Sequence, residues 1–282
     1  MEEKQYKLGN RNTKICLITD LHFCPEYNLN ILDEIKMSVK NNKPDYICLS
    51  GDIMDTYEVV YDKCMSTLKE FIKDLSKLGQ VIVSLGNHDI SLIKKKLLSE
   101  KVYKGNIDDV NNWFLELNKL ENVYYINNKS LIRNDLCFIG YNPDFEYYLK
   151  EESKDFIRDV DSKLSMTKKY YNILLCHSPV CVFNPLTLKY SKQITKADLI
   201  LSGHMHNGLI LKCFDHNGCW GLISPLKKPF PKYARNRAVK KIDDKEINLI
   251  ISGGIIKFSN VNPKIIRKFN CLFPRSIVYI EV

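Results

Sequence analysis

Five of the chain's six histidines stand directly behind short apolar runs, in the company of carboxylates and one amide. In chain order the clusters are Asp20-Leu21-His22, Gly51-Asp52-Ile53-Met54-Asp55, Gly86-Asn87-His88-Asp89, Cys176-His177 and Gly203-His204-Met205-His206; only His216 lies elsewhere. Imidazole nitrogens with carboxylate and carboxamide oxygens suit divalent Mn, Fe or Zn. Each cluster alone has a plain structural explanation. Asp-x-His is common, Gly-Asp after a strand is an ordinary turn, and a lone His177 could be a satisfied core histidine. Their joint occurrence, each behind an apolar run, points to one shared metal site. Side chains at i and i+2 of an extended segment point the same way, which pairs Asp20 with His22 and His204 with His206. The donors are Asp20, Asp52, Asn87, His22, His177, His204 and His206. They are too many for one ion and suit two that share a carboxylate. His88 is then left over for proton chemistry. The absence of thiolates from the set argues against a structural zinc site.

These clusters need elements to hold them. The apolar runs at 14–19, 46–50 and 81–85 read as strands, separated by helical periodicity at 29–41 and 62–78. A further helical stretch is expected at about 91–120. The middle turns β-rich, with strands at 123–126, 130–133 and 136–141. A helix at 151–168, expected to be exposed, precedes strands at 171–176 and 197–202. The runs LILKCF, NLIIS and SIVYIEV then read as a closing antiparallel sheet. Alternating units followed by β-rich units predict an α/β fold: two sheets face to face with helices outside, in four αββα layers. A polar cluster at the carboxyl end of each strand is where ligands bind in open α/β sheets.

Length and composition agree with a globular chain of 282 residues, 45% hydrophobic and 27% charged. No linker, repeat or low-complexity tract interrupts it, so residues 1–282 read as a single domain. The net charge of +9 favours anionic partners without choosing among them. Neither a signal peptide nor an apolar run near the ~18 residues of a membrane span is visible. The expected location is therefore cytoplasmic, with peripheral contact at a membrane left open. Cys16, Cys48, Cys137 and Cys176 sit inside strand-like runs, which reads as buried reduced thiols rather than disulfides.

The ordered series D-x-H, GD, GNHD, H and GHxH resembles the signature of the calcineurin-like metallophosphoesterase superfamily. The resemblance implies a four-layer double β-sandwich and a binuclear centre. Carried over by position, Asp20, His22 and His206 would hold one ion, and Asn87, His177 and His204 the other, with Asp52 bridging. His88 would donate a proton, and Asp55 would orient it. The implied chemistry is hydrolysis of a phosphodiester, pyrophosphate or phosphomonoester by attack of a metal-bound hydroxide, between ions roughly 3.5–4 Å apart. Thr56 and Leu85 stand where phosphoprotein phosphatases of the superfamily carry arginines, which disfavours a protein phosphatase. The runs GHMHNGLI, GLISPLKKPFPKYAR and NLIISGGIIKFS are similar to a bacterial single-domain branch. Asn207 and Leu209 depart from its GHTHGGQ motif, and its N-terminal membrane anchor is not seen.

Residues 227–241, KKPFPKYARNRAVKK, carry seven Lys or Arg and no acid. They read either as a solvated loop or as an anionic clamp beside the metals, with Lys227, Lys228, Lys232 and Arg235 gripping substrate. The favoured substrate is a phosphorylated small molecule, a nucleotide or a lipid-linked ester. A nuclease and a non-catalytic metal-binding scaffold are the competing readings; nucleic acid is not favoured. The sequence does not fix the oligomeric state.

Overall fold

The computed structural model describes the chain except residues 25–26, 56–61, 95–106, 149–153, 215–216, 226, 260–261 and 263. Twelve strands are present among the described residues. The first six are β1 (Glu2–Lys7), β2 (Lys14–Ile18), β3 (Tyr46–Ser50), β4 (Gln80–Ser84), β5 (Val123–Tyr125) and β6 (Lys129–Arg133). The second six are β7 (Leu136–Gly140), β8 (Tyr171–Leu175), β9 (Leu199–Ser202), β10 (Asn236–Ile242), β11 (Lys245–Ile251) and β12 (Ser276–Glu281). They form two six-stranded sheets, ordered β1-β12-β2-β3-β4-β5 and β10-β11-β9-β8-β7-β6. Within the first, β2, β3, β4 and β5 run parallel. Within the second, β7, β8, β9 and β11 run parallel.

Strand periodicity builds the layers. Ile15, Leu17, Phe138, Ile173, Leu175 and Leu201 fill the space between the sheets. Their neighbours Cys16 and Ile18 face the opposite way, onto Ile35 and Val39 of α1 (Asn30–Asn42) and Leu68 and Ile72 of α2 (Asp62–Ser76). On the second sheet, Leu174 and Ile200 face outward in the same manner. They share a cluster with Phe156 and Val160 of a later helix, Lys154–Lys163. Three apolar layers between four layers of structure give the expected αββα sandwich.

The helices after α2 are α3 (Asn87–Lys94), α4 (Ile107–Glu116), α5 (Lys154–Lys163), α6 (Pro179–Val182), α7 (Pro185–Tyr190) and α8 (Lys264–Arg267). The structure corrects several expectations. β1 lies in the polar N-terminus and was not predicted: as an edge strand it needs no apolar run, and its half-exposed alternation EEKQYK keeps the edge charged. The run LILKCF does not form a strand but belongs to two short 3₁₀ turns. The closing strands are not simply antiparallel, because β12 is parallel to β1 and β11 to β9. The helix expected at 151–168 is shorter and buries Phe156 and Val160 rather than lying exposed. Much of the 91–120 stretch (95–106) lies outside the described residues, and its helix begins earlier, at Asn87.

Candidate metal centre

The carboxyl ends of β2, β3 and β4 in one sheet meet those of β8, β9 and β11 in the other. Here the backbone turns sharply. Asp20, His22, Asp52, His204 and His206 all adopt positive φ, between 45° and 66°. This region is costly for residues with a Cβ, though Asp, Asn and His visit it more readily than most. Five such residues in one place mean that the surroundings hold the strain. The loops are laced together: Asp20 N–H donates to Gly51 O (3.1 Å) and His22 N–H to Asp52 O (3.0 Å). His88 N–H donates to Asp52 Oδ1 (2.8 Å), and His204 N–H to Asp20 Oδ1 (3.1 Å). The glycines of two motifs have a steric cause. A Cβ on Gly86 would collide with the Asp52 carboxylate, and one on Gly203 with that of Asp20.

Six of the seven expected donors, all but Asn87, come together in three overlapping groups. Ligand atoms of Asp20, His22 and His206 lie within 4.8 Å of one another, as do those of Asp52, His177 and His204; His22, Asp52 and His88 form a third trio. His177 Nε2 is 3.1 Å from Asp52 Oδ2 and 3.6 Å from Asp20 Oδ1, joining the two groups. Their ring nitrogens are oriented by the backbone: His177 Nδ1 meets Ser50 O at 2.8 Å, and His206 Nδ1 meets Ile256 O at 3.0 Å. What faces inward is unsatisfied. Both nitrogens of His22, Asp52 Oδ2, Asn87 Oδ1, His177 Nε2 and His204 Nδ1 are buried without a hydrogen-bond partner. Buried polar atoms normally have partners, and bound divalent cations would supply them for most of these. The donor set fits such an ion.

The electrostatics agree. Burial, with the neighbouring histidines, holds His22 and His204 well below the usual histidine range, and burial likewise lowers His206. Neutral imidazoles are the form that binds metal. Burial would also lower His177, but the Asp52 and Asp20 carboxylates override it and push it up to about 9. Burial alone would raise Asp52, yet the surrounding histidines hold it well below the carboxylate range. The carboxylate pair thus demands positive charge in the cluster.

His88 sits at the edge of this group, its ring 4.5 Å from that of His22. Its Nδ1 is 3.6 Å from Asp55 Oδ1, and Asp55 is fully buried rather than facing solvent. Burial opposes protonation of His88, but Asp52 and Asp55 outweigh it and raise its pKa.

Two supporting residues have no role in the sequence reading, although Asp89 stands in its GNHD cluster. Asp89 Oδ2 accepts from Gly86 N–H (2.9 Å) and Ile53 N–H (3.2 Å), and Oδ1 from Met54 N–H (3.0 Å). One carboxylate therefore ties the Asp52 loop to the Asn87-His88 loop. The Gly86 contact is the back-bond of a helix start, with an acid at the third helical position, and that spacing was a legible signal. Lys257 is buried and donates to the carbonyls of Gly253 and Gly254, beside Asp20. Burial pushes its pKa down to about 7. Nothing in its sequence context marks it, because its partners are carbonyls of a turn.

A cavity of about 310 Å³ opens beside His204, lined also by Lys228 and Lys232. Lys227 is exposed at positive φ and does not line it. Arg235 is fully buried, with Glu2 and Tyr6 of β1 acting on its charge, so it does not join an exposed clamp. The basic stretch is not one loop: its second half, from Asn236, is β10. His216 and Thr56 lie outside the described residues.

The family model described as calcineurin-like phosphoesterase matches residues 13–208. A protein of Caenorhabditis elegans named as a metallophosphoesterase is 27% identical over 207 residues, covering 73% of this chain and 39% of that protein. An uncharacterized metallophosphoesterase of Campylobacter jejuni is 26% identical over 208 residues, covering 71% and 46%. This chain thus spans less than half the length of these relatives. Among solved structures, a dimetal phosphatase from Danio rerio matches 88% of this chain and 89% of its own, with 10% identity and a TM-score of 0.44.

Proposed function

The chain belongs to the calcineurin-like phosphoesterase family, and on that premise we propose that it is a metal-dependent hydrolase of phosphate esters. Asp20, His22 and His206 would hold one divalent ion, Asn87, His177 and His204 a second, and Asp52 would serve both. The reading rests on one observation: carboxylates and imidazoles from the strand ends of both sheets converge within 4.8 Å in a buried cluster whose polar atoms are largely without hydrogen-bond partners. When bound, Mn, Fe or Zn would supply Lewis-acid polarisation of the phosphoryl oxygens and acidify a water.

The chain's own residues supply the rest. His88, outside both ligand trios assigned to the ions, delivers a proton to the leaving oxygen. Asp55 holds its ring from the far side and favours the protonated form. A non-catalytic scaffold has no use for this pair. Leu85, buried and apolar, offers no grip on a second phosphate charge. We therefore favour a phosphodiester or pyrophosphate over a monoester, in a small-molecule or lipid-linked substrate. No helix among the described residues is long and apolar enough to cross a membrane.

The test is Mn²⁺-dependent hydrolysis of bis(p-nitrophenyl) phosphate against p-nitrophenyl phosphate, with a chelator control and Asp52→Asn. We expect chelator-sensitive activity favouring the diester, with Asp52→Asn slowed by about three orders of magnitude, or about 4 kcal/mol. Preference for the monoester would reverse the bond assignment. Full activity of Asp52→Asn would refute the site.

A further inference from the structure

A short 3₁₀ turn after β7, Phe145–Tyr148, brings to the metal centre a side chain that no motif marks. The turn lies against α3, whose first residues are Asn87 and His88, and against α6, which starts two residues after His177. The Tyr148 ring meets the His204 ring edge-on, with centroids 5.5 Å apart and planes at 60°. Tyr148 is therefore set among the three segments that carry Asn87, His177 and His204, the donors assigned to the second ion. It is 3% exposed and packs within the core of the first sheet and its helices.

Its hydroxyl is out of keeping with that burial. The oxygen is shut off from solvent and has no hydrogen-bond partner. Four ionisable groups act on it: Cys176, Cys181, Asp52 and Asp89. Three of them are committed elsewhere. Both thiols turn to Ser178 O, at 3.5 and 3.7 Å, and the Asp89 carboxylate accepts from the backbone of Ile53, Met54 and Gly86. The fourth, Asp52, is the carboxylate shared by the two ligand groups. Burial raises the Tyr148 pKa well above the usual tyrosine range, so the side chain is a neutral phenol with one O–H to donate. An unpartnered buried hydroxyl destabilises a fold, and phenylalanine would fill the same space without that cost. A ligand oxygen arriving at the second ion would supply the missing acceptor.

Tyr27 provides the contrast. Its hydroxyl is also buried without a partner, but its ring packs on Phe23, and the groups acting on it are Arg275, Cys24 and Glu34. No candidate metal donor is among them.

We propose that the Tyr148 hydroxyl donates to a non-bridging phosphoryl oxygen of the ester held at the second ion. Packing holds the donor in place before substrate arrives, so its contribution grows as charge builds on that oxygen in the transition state. The inference rests on the phosphoesterase reading and adds a substrate-contacting residue to it.

Tyr148→Phe removes one oxygen and no hydrogen bond of the free protein. In the Mn²⁺-loaded chain we expect wild-type metal content and a melting temperature at or above wild type. We expect kcat/KM for bis(p-nitrophenyl) phosphate to fall about 10- to 100-fold, as loss of a hydrogen bond to a charged group gives. Orthophosphate binding, read by calorimetry without turnover, should weaken by about tenfold. Tyr27→Phe should leave both at wild type. Unchanged turnover and phosphate affinity in Tyr148→Phe overturn the proposal. So does a lower melting temperature, which would mean that the hydroxyl is already partnered in the free protein. Loss of metal overturns it too, by making Tyr148 a ligand or a support for ligands, as does an equal loss in Tyr27→Phe. Failure here is distinguishable from failure of the hydrolytic reading. Phosphate binding that depends on Tyr148, in a protein that cleaves no ester, would keep the contact and remove the hydrolase. Ester cleavage indifferent to Tyr148→Phe would do the reverse.

Discussion

Around Asp20 and Asp52 every candidate donor side chain except His206 is buried, and the loops are tied together by backbone or carboxylate hydrogen bonds. Residues 219–225 and 227–234 pair as two arms held to Gly208, just beyond the site, yet leave Trp220, Leu222, Ile223 and Phe230 in solvent. The first region is polar atoms forced into a dry interior; the second is apolar atoms left outside. The buried polar arrangement is costly by itself, and a bound cation would remove that cost. Changes in the buried cluster should therefore act on turnover and stability, and changes in the hairpin on substrate affinity.

The sharpest way to break this contrast is at His88. We predict that His88→Asn lowers kcat about 10²- to 10³-fold while KM shifts far less, measured on whichever ester proves active. A variant with wild-type kcat would remove its role as proton donor. Metal removal comes next. Chelation should lower the melting temperature, and metal at about a hundredfold excess over Kd should restore about 2.7 kcal/mol, or roughly 5 °C for a chain of this size. An unchanged melting curve would mean that the inward-facing donors do not bind a cation.

A smaller effect is expected one layer out. Asp89→Asn replaces one accepting oxygen with an NH₂ that opposes backbone N–H groups, a loss of about 1–3 kcal/mol visible in urea denaturation. Metal affinity should fall with it, since the Asp52 and Asn87 loops lose their shared tie. Stability equal to wild type would show that the tie is not needed. The smallest effect belongs to the hairpin. Lys228→Ala with Lys232→Ala should raise KM about two- to fivefold, as expected for exposed charges worth about 1 kcal/mol or less. The difference should fade at 1 M salt, where screening acts within ~3 Å. A salt-independent effect, or one on kcat alone, would place these lysines in the rigid region instead.

Much of the site was legible from residue types. Asp20, His22, Asp52, Asn87, His177, His204 and His206 could be singled out because metal chemistry restricts donors to a few side chains, and because each follows an apolar run short enough to be a strand. The strands themselves were legible where both faces are buried, as in KICLI and YICLS. β1 was not, since an edge strand can be polar. Nor was the division of 227–241 into a hairpin arm and β10, because a basic stretch looks the same in a loop and in an exposed strand. Asp89 carried a readable helix-start spacing, whereas Lys257 carried no signal, its partners being backbone carbonyls.

By itself the sequence singled out the candidate donors, most of the strands and helices that present them, and the αββα layering, since these follow from local side-chain chemistry and periodicity. Only the tertiary structure decided which donors share a trio, that Asp55 is buried beside His88, that Arg235 is inside while Lys228 and Lys232 line the cavity, and that the hairpin leans on the turn after His206. Those are distances between segments remote in the chain, such as the loop after β2 and the one after β9. They are set by how two sheets pack face to face, which no local pattern encodes.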